Sequence, residues 1–171
     1  MTPSPLLVIL TGLPYSGKTT LAQALGQWGA AVVELDRINR ERGFRIEDGV
    51  PVAEWPETTR RAEALIESQV QEGRKVVVLS WVNPTERDRR RWRDFASARG
   101  LRHELVYLAA DQQLLDTRRS AAATPGRHVL SDDVLQRVHR RFQPPPAGTA
   151  RILEASWTPQ RQLETLTAEW C

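Results

Sequence analysis

Leu6-Leu7-Val8-Ile9-Leu10-Thr11-Gly12-Leu13-Pro14-Tyr15-Ser16-Gly17-Lys18-Thr19-Thr20 decides the fold. The apolar run 6–10 is too short for a helix and ends in a glycine-rich turn, which reads as a buried parallel strand. Apolar residues then recur at Leu21, Ala22, Leu25 and Trp28, a helical spacing, and Gly29 stands where such a helix stops. Between strand and helix lies Gly12-x-x-x-x-Gly17-Lys18-Thr19, a phosphate-binding pattern in the context it requires. Glycines let the backbone N–H groups turn inward around phosphate oxygens, and the helix N-terminus adds positive potential. Lys18 is placed to reach the outer phosphates, and the Thr19 hydroxyl to ligate Mg²⁺.

Outward from this loop, strands and helices alternate. Residues 31–35 read as a second strand ending at Asp36, and 38–43 as a short helix. Residues 44–51 have no clear period. A longer helix is expected from about Pro51 or Val52 to Glu72, with Ala62, Leu65, Ile66, Gln69 and Val70 inward. Further strands are expected at 76–79, 104–108 and 151–154. Thr85, Asp111 and Ser131 are placed to cap helices at 86–99, 112–122 and 132–142, and 159–170 closes the chain as a helix. This alternation predicts an α/β fold, a parallel sheet covered on both faces, in one domain spanning 1–171.

Composition narrows the function classes. The chain has 171 residues and a net charge of +3, which is not the footprint of a dedicated nucleic-acid binder. Lysine occurs only at Lys18 and Lys75, and cysteine only at Cys171, so no disulfide or Cys-based metal site forms within the chain. No stretch has the length and apolarity of a membrane span or signal peptide, and a cytoplasmic setting is expected. The arginines of 87–93 read as a solvated helix surface.

With the phosphate loop, Leu35-Asp36-Arg37-Ile38-Asn39, the segment from Val77 through Asn83-Pro84 and the arginines of 118–127 in view, the chain resembles the P-loop ATP kinases. Within them it is similar to the polynucleotide-kinase-like "predicted kinase" AAA-type group, with zeta-toxin and chloramphenicol-phosphotransferase-like relatives. The resemblance implies a three-layer P-loop NTPase with a five-stranded parallel sheet in order 2-3-1-4-5 and an arginine-bearing lid at about 118–131. It implies ATP and Mg²⁺, with Gly12, Leu13, Pro14, Tyr15, Ser16, Gly17, Lys18, Thr19 and Thr20 around the phosphates and Thr19 on the metal. Asp36 matches the general base of that group, and Arg119 and Arg127 match lid arginines that close over ATP. Trp157 follows the last strand, where kinases of this fold receive the adenine.

Three departures qualify the resemblance. Tyr15 stands where relatives often have Gly. Asn39 falls where polynucleotide kinases use an Arg on the substrate phosphate. No carboxylate remains after the third strand, where the residues are Leu79-Ser80-Trp81-Val82-Asn83. The expectation is a kinase passing the γ-phosphoryl group of ATP to a hydroxyl of a small molecule or nucleotide, with Trp55 or Trp81 lining the acceptor pocket. A polynucleotide 5′-hydroxyl kinase is the less favoured alternative, and a catalytically silent ATP-binding protein is the rival from another class.

Overall fold

The computed structural model describes residues 3–124 and 129–170. Five strands, β1 (Leu6–Thr11), β2 (Ala31–Glu34), β3 (Val76–Ser80), β4 (Arg102–Ala109) and β5 (Arg151–Glu154), form one parallel sheet in the order β2-β3-β1-β4-β5. This is the P-loop NTPase order expected from the resemblance. β1 is central and buried at every position, as a strand covered on both faces must be.

Alternation along the strands divides the core in two. Leu7, Ile9, Val77 and Leu79 face α2 (Leu35–Glu41), α3 (Trp55–Gln71) and α4 (Glu86–Ala98), and pack on Ile38, Ala62, Ile66, Trp92 and Phe95. Leu6, Val8, Leu10, Val76 and Val78 face α1 (Lys18–Trp28) and α7 (Pro159–Thr167), and pack on Leu21, Leu25 and Leu166. α5 (Gln112–Ala122) and α6 (Asp132–Arg141) follow β4. Among the described residues, no helix is long and apolar enough to cross a membrane.

The caps predicted at Thr85, Asp111 and Ser131 all form. Each side chain accepts from the backbone N–H three residues on, and Thr85 with Asp88 completes a capping box. Four expectations are corrected. β2 ends at Glu34 and α2 begins at once, so Asp36 lies inside the first helical turn and caps nothing. α3 begins at Trp55 with Pro56 in its first turn, after a short 3₁₀ turn at Val52–Glu54. Leu65, expected inward, is exposed on α3, whose buried positions are Thr58, Thr59, Ala62 and Ile66.

The fourth correction is Arg89, read as part of a solvated stripe but 0% exposed. It shares the inner face of α4 with Trp92, Phe95 and Ala96. Its guanidinium donates to Asn83 O (3.1 Å) and Pro84 O (3.4 Å), and pairs with Glu86 (3.4 Å). The turn between β3 and α4 is therefore pinned from below. From above, Thr11 Oγ1 donates to Val82 O (2.9 Å) and Asn83 Nδ2 donates to Leu10 O (2.7 Å), tying the turn to the end of β1.

Candidate active site

The C-terminal ends of β1, β2 and β3 open into a cleft of about 1650 Å³. At its floor the phosphate loop runs from Gly12 to Lys18. Gly12 has φ +155, and a Cβ there would meet Ser16 Oγ at 2.7 Å and Leu108 O at 3.0 Å. Gly17 has φ +100, the left-handed conformation that aims the backbone into the loop and opens α1. Tyr15, at φ +68, also bends left-handed despite its side chain. Its hydroxyl accepts from Leu130 N–H (3.0 Å), joining the loop to the chain just before α6.

Lys18 is buried and donates to Gly12 O and Leu13 O (2.8 Å each) within its own loop. Burial lowers its pKa to about 8, partly opposed by the Asp36 carboxylate. Thr19 and Thr20 are exposed at the start of α1 on the cleft wall. Arg118 grips the backbone of the loop, whereas Arg119 meets it only at the Tyr15 side chain. Arg118 donates to Tyr15 O (3.2 Å), Ser16 O (2.9 Å) and Ala155 O (2.6 Å), clamping the loop to the segment after β5. Arg119 does not line the cleft; it donates to Leu130 O (3.0 Å) and pairs with Asp132 (2.6 Å) at the start of α6. Arg127, the other lid candidate, lies outside the described residues. Trp157 is on the cleft wall beneath the Arg161 guanidinium, 4.0 Å from the ring centroid.

Asp36 faces the same cleft as Lys18. Burial raises its pKa; Arg40 and Lys18 pull it back and Glu47 pushes it further up. Glu34, also in the cleft, is raised by burial and by Asp36. Ser80 is buried at the end of β3, where relatives carry an acid, and its register partner on β2 is Glu34. One strand over, Glu34 and Asp36 bring carboxylates into the same cleft. Among the described residues, no group of three or more His, Cys, Asp or Glu side chains converges to hold a metal ion.

Asn39 does not face the cleft. It is fully buried and accepts from Thr58 Oγ1, knitting α2 to α3, while Arg42 donates to Thr58 Oγ1 (2.6 Å). Arg37 turns outward to Glu41 (3.0 Å), and Arg40 stays in the cleft, 4.0 Å from Glu47. Trp55 and Trp81 both line the cleft and also pack on the core, ring centroids 4.7 Å apart. Sequence reasoning missed Arg118 as the loop clamp and α6 as a wall. The helical spacing of Val134, Arg137, Val138 and Arg141 was the available signal for α6; a loop clamp made through backbone carbonyls leaves none.

The chain resembles several solved structures along nearly its whole length. A putative kinase from Chloroflexus aurantiacus is 19% identical with a TM-score of 0.72, covering 99% of this chain and 98% of its own. A sugar kinase from Janibacter sp. is 19% identical with a TM-score of 0.69, covering 97% and 94%. An APS kinase from Mycobacterium tuberculosis, solved with AMPPNP and APS, is 18% identical with a TM-score of 0.67, covering 98% and 98%. At these identities the likeness is one of fold. Comparison with curated proteins finds no match. The AAA domain family AAA_33 matches residues 7–145, most of the chain, and with the phosphate loop, the sheet order and the cleft already in hand, the chain belongs to that family.

Proposed function

We propose that this protein is an ATP-dependent kinase that transfers the γ-phosphoryl group to a hydroxyl of a small molecule. The observation that carries the reading is one cleft holding Lys18 on the phosphate loop and Asp36 opposite it, the carboxylate raised above its ordinary pKa by burial. A raised carboxylate accepts a hydroxyl proton more readily than a solvated one. In the step, the acceptor oxygen bonds to the γ-phosphorus as the bridging bond to ADP breaks. The acceptor's proton passes to Asp36, and Lys18 holds the phosphate charge.

The loop fits ATP: its glycines leave no room for a Cβ at Gly12, and its open hydroxyl at Thr19 is a hard oxygen donor of the kind Mg²⁺ takes. Thr19 would hold Mg²⁺ there, and the ion would supply neutralisation of the phosphate charge. Arg118 orders the loop, and Trp157 offers a face for the base. Arg119 and Arg127 remain proposed lid residues; Arg119 serves through its link to α6. Asp36 also supports a place near the polynucleotide-kinase-like, zeta-toxin and chloramphenicol-phosphotransferase relatives. The burial of Asn39 counts against a polynucleotide acceptor, because no cation at that position meets a substrate phosphate.

Ser80 in place of an acid favours one second reading, a nucleotide binder without transfer activity. γ-Labelled ATP offered with panels of sugars, nucleosides, hydroxy acids and oligonucleotides separates the two. Label in one acceptor class, lost by at least about 100-fold in Lys18→Ala and in Asp36→Asn, supports the kinase. Asp36→Asn should bind ATP within about threefold of wild type, because only one proton acceptor is lost. Equal loss of ATP binding and transfer in Asp36→Asn would overturn the base assignment.

A further inference from the structure

The positive charge of this molecule is concentrated in the cleft. Among the described residues, eight cationic side chains line it against four acidic ones, an excess larger than the chain's whole net charge of +3. Lys18 lies on the phosphate loop and Arg118, on α5, clamps it. Six arginines remain: Arg40 on α2, Arg87 and Arg91 on the first turns of α4, and Arg137, Arg140 and Arg141 on α6. Among the described residues, Arg87, Arg140 and Arg141 have no carboxylate partner; Arg91 pairs with the half-buried Glu63 (3.2 Å) and Arg137 with the exposed Asp133 (3.0 Å).

α6 is held so that these arginines oppose one another. At its start, Ser131 N–H donates to Glu47 O (3.0 Å). Just past its end, Gln143 N–H donates to Pro84 O (2.8 Å), and Gln143 Oε1 accepts from Glu86 N–H (3.2 Å). These bonds set Arg141 and Arg87 each within two residues of a shared tether. Midway, Gly49 lies so close that a Cβ there would meet Val134 Cγ2 at 3.2 Å and Arg137 Nη2 at 3.4 Å. α6 is thus a strap tied at both ends across the acceptor half, and its face of Val134, Arg137, Val138 and Arg141 looks onto the cleft. Opposite stand Trp55, Trp81 and Val52, the last 83% exposed at the mouth.

We propose that the acceptor is a small hydroxyl compound carrying an oxyanion (phosphate, sulfate or carboxylate), gripped by Arg87 and Arg91 of α4 and Arg137 and Arg141 of α6. The assignment rests on the kinase reading for the word acceptor, and on the geometry alone for the anion. Guanidinium forks match tetrahedral and planar oxyanions in paired hydrogen bonds, and several forks around one space give both affinity and orientation. Val134, Val138, Trp55 and Trp81 cover the apolar body of such a compound. A strap tied at both ends favours a small molecule over a polynucleotide, which needs an open groove.

The test fills the phosphate loop first. Protein saturated with a non-hydrolysable ATP analogue and Mg²⁺ is titrated with sulfate, inorganic phosphate and a short oligonucleotide, by calorimetry. Saturable binding of the small anions is expected. It should weaken by about tenfold or more in Arg87→Gln/Arg91→Gln/Arg137→Gln/Arg141→Gln, with analogue affinity held, and recover only in part when the four are lysine. Failure of the analogue to bind would count against the nucleotide reading alone; the same anion titration on Lys18→Ala still reads the arginine site. No saturable anion binding, binding unchanged in the glutamine variant, or oligonucleotide binding that the small anions do not displace would each overturn the proposal.

Discussion

The two halves of the cleft are built in opposite ways. On the proposed reading, the donor half is written in nine consecutive residues, Gly12 to Thr20, and would work through backbone groups, two glycines and one lysine. The acceptor half is assembled from α2, the turns around Ile46 and Val52, the β3–α4 turn and α6, which are separated by up to a hundred residues in the chain and brought together by packing. A recurrent chemical task, holding phosphate oxygens, is met by a local backbone shape. A task particular to one protein, choosing an acceptor, is met by side chains on a scaffold.

The comparison predicts that the donor half fails sharply to changes too small to matter elsewhere. Gly12→Ala adds one methyl where Ser16 Oγ is 2.7 Å and the Leu108 carbonyl 3.0 Å away, and the carbonyl belongs to a buried strand that has little freedom to move. Either the loop shifts or Ser16 leaves its rotamer, and the N–H groups lose their common focus. ATP affinity should fall by at least about 100-fold, with a modest loss of stability, about 1–3 kcal/mol. Calorimetric titration with ATP and a thermal melt read the two. A Gly12→Ala protein that still binds ATP well would break the claim that the donor half is a backbone device.

The acceptor half should respond to lost volume more than to lost polarity. Arg89 is the test, buried beneath the β3–α4 turn. Of its two carbonyl acceptors, Pro84 O keeps Gln143 N–H (2.8 Å) and Asn83 O keeps a share of the single Thr11 hydroxyl proton (3.1 Å) that also serves Val82 O, and Glu86 keeps Arg93. Arg89→Met fills most of the space and removes a buried charge, so it should cost about 1 kcal/mol or less. Arg89→Ala leaves a cavity and should cost about 3 kcal/mol, read from denaturant unfolding. Neither should change ATP affinity beyond about threefold, since neither touches the phosphate loop. Equal costs would mean the polar contacts hold the turn.

The same contrast explains what the sequence disclosed. The strands, the caps and the phosphate-loop pattern were legible because local spacing and turn chemistry encode them, whereas the strand order came only with the family resemblance; Thr85, Asp111 and Ser131 form the caps their positions predict. The strand was expected to reach Asp36 because Leu35 continues its apolar run, but the pairing with β3 ends at Glu34 and Leu35 already opens α2. Arg89 hid in a run of arginines, although its spacing to Trp92 and Ala96 marks one inner face. Arg118 and Arg119 are adjacent, yet one clamps the loop and the other ties α6; composition gives no means to tell neighbours apart when their partners are about a hundred residues away in one case and thirteen in the other. The role of α6 depends on tethers at Glu47 and Pro84, contacts that no local pattern announces.

The smallest expected effect is a fraction of a proton, and it tests the donor half directly. Lys18 titrates near 8 in the free protein, lowered by burial. Phosphates brought against its ammonium favour the charged form and raise that pKa. Between the free and the bound pKa, the complex therefore holds more protons than the free protein, and ATP binding takes protons up. At pH 8 about half the lysines are neutral before binding, so uptake of about half a proton per ATP is expected, growing to a maximum midway between the free and the bound pKa and vanishing near pH 6. The affinity follows with the same sign, level below about pH 7 and falling above about pH 8. ATP's own terminal phosphate is already ionised across that upper range and adds nothing to the count. Calorimetry in two buffers of different ionisation heat measures the uptake. Lys18→Arg, which stays charged throughout, should show none even where it still binds ATP. An uptake of zero at pH 8 in the wild-type chain would mean that Gly12 O and Leu13 O already hold the lysine as a full cation, and that burial sets neither its charge nor the pH range over which the donor half works.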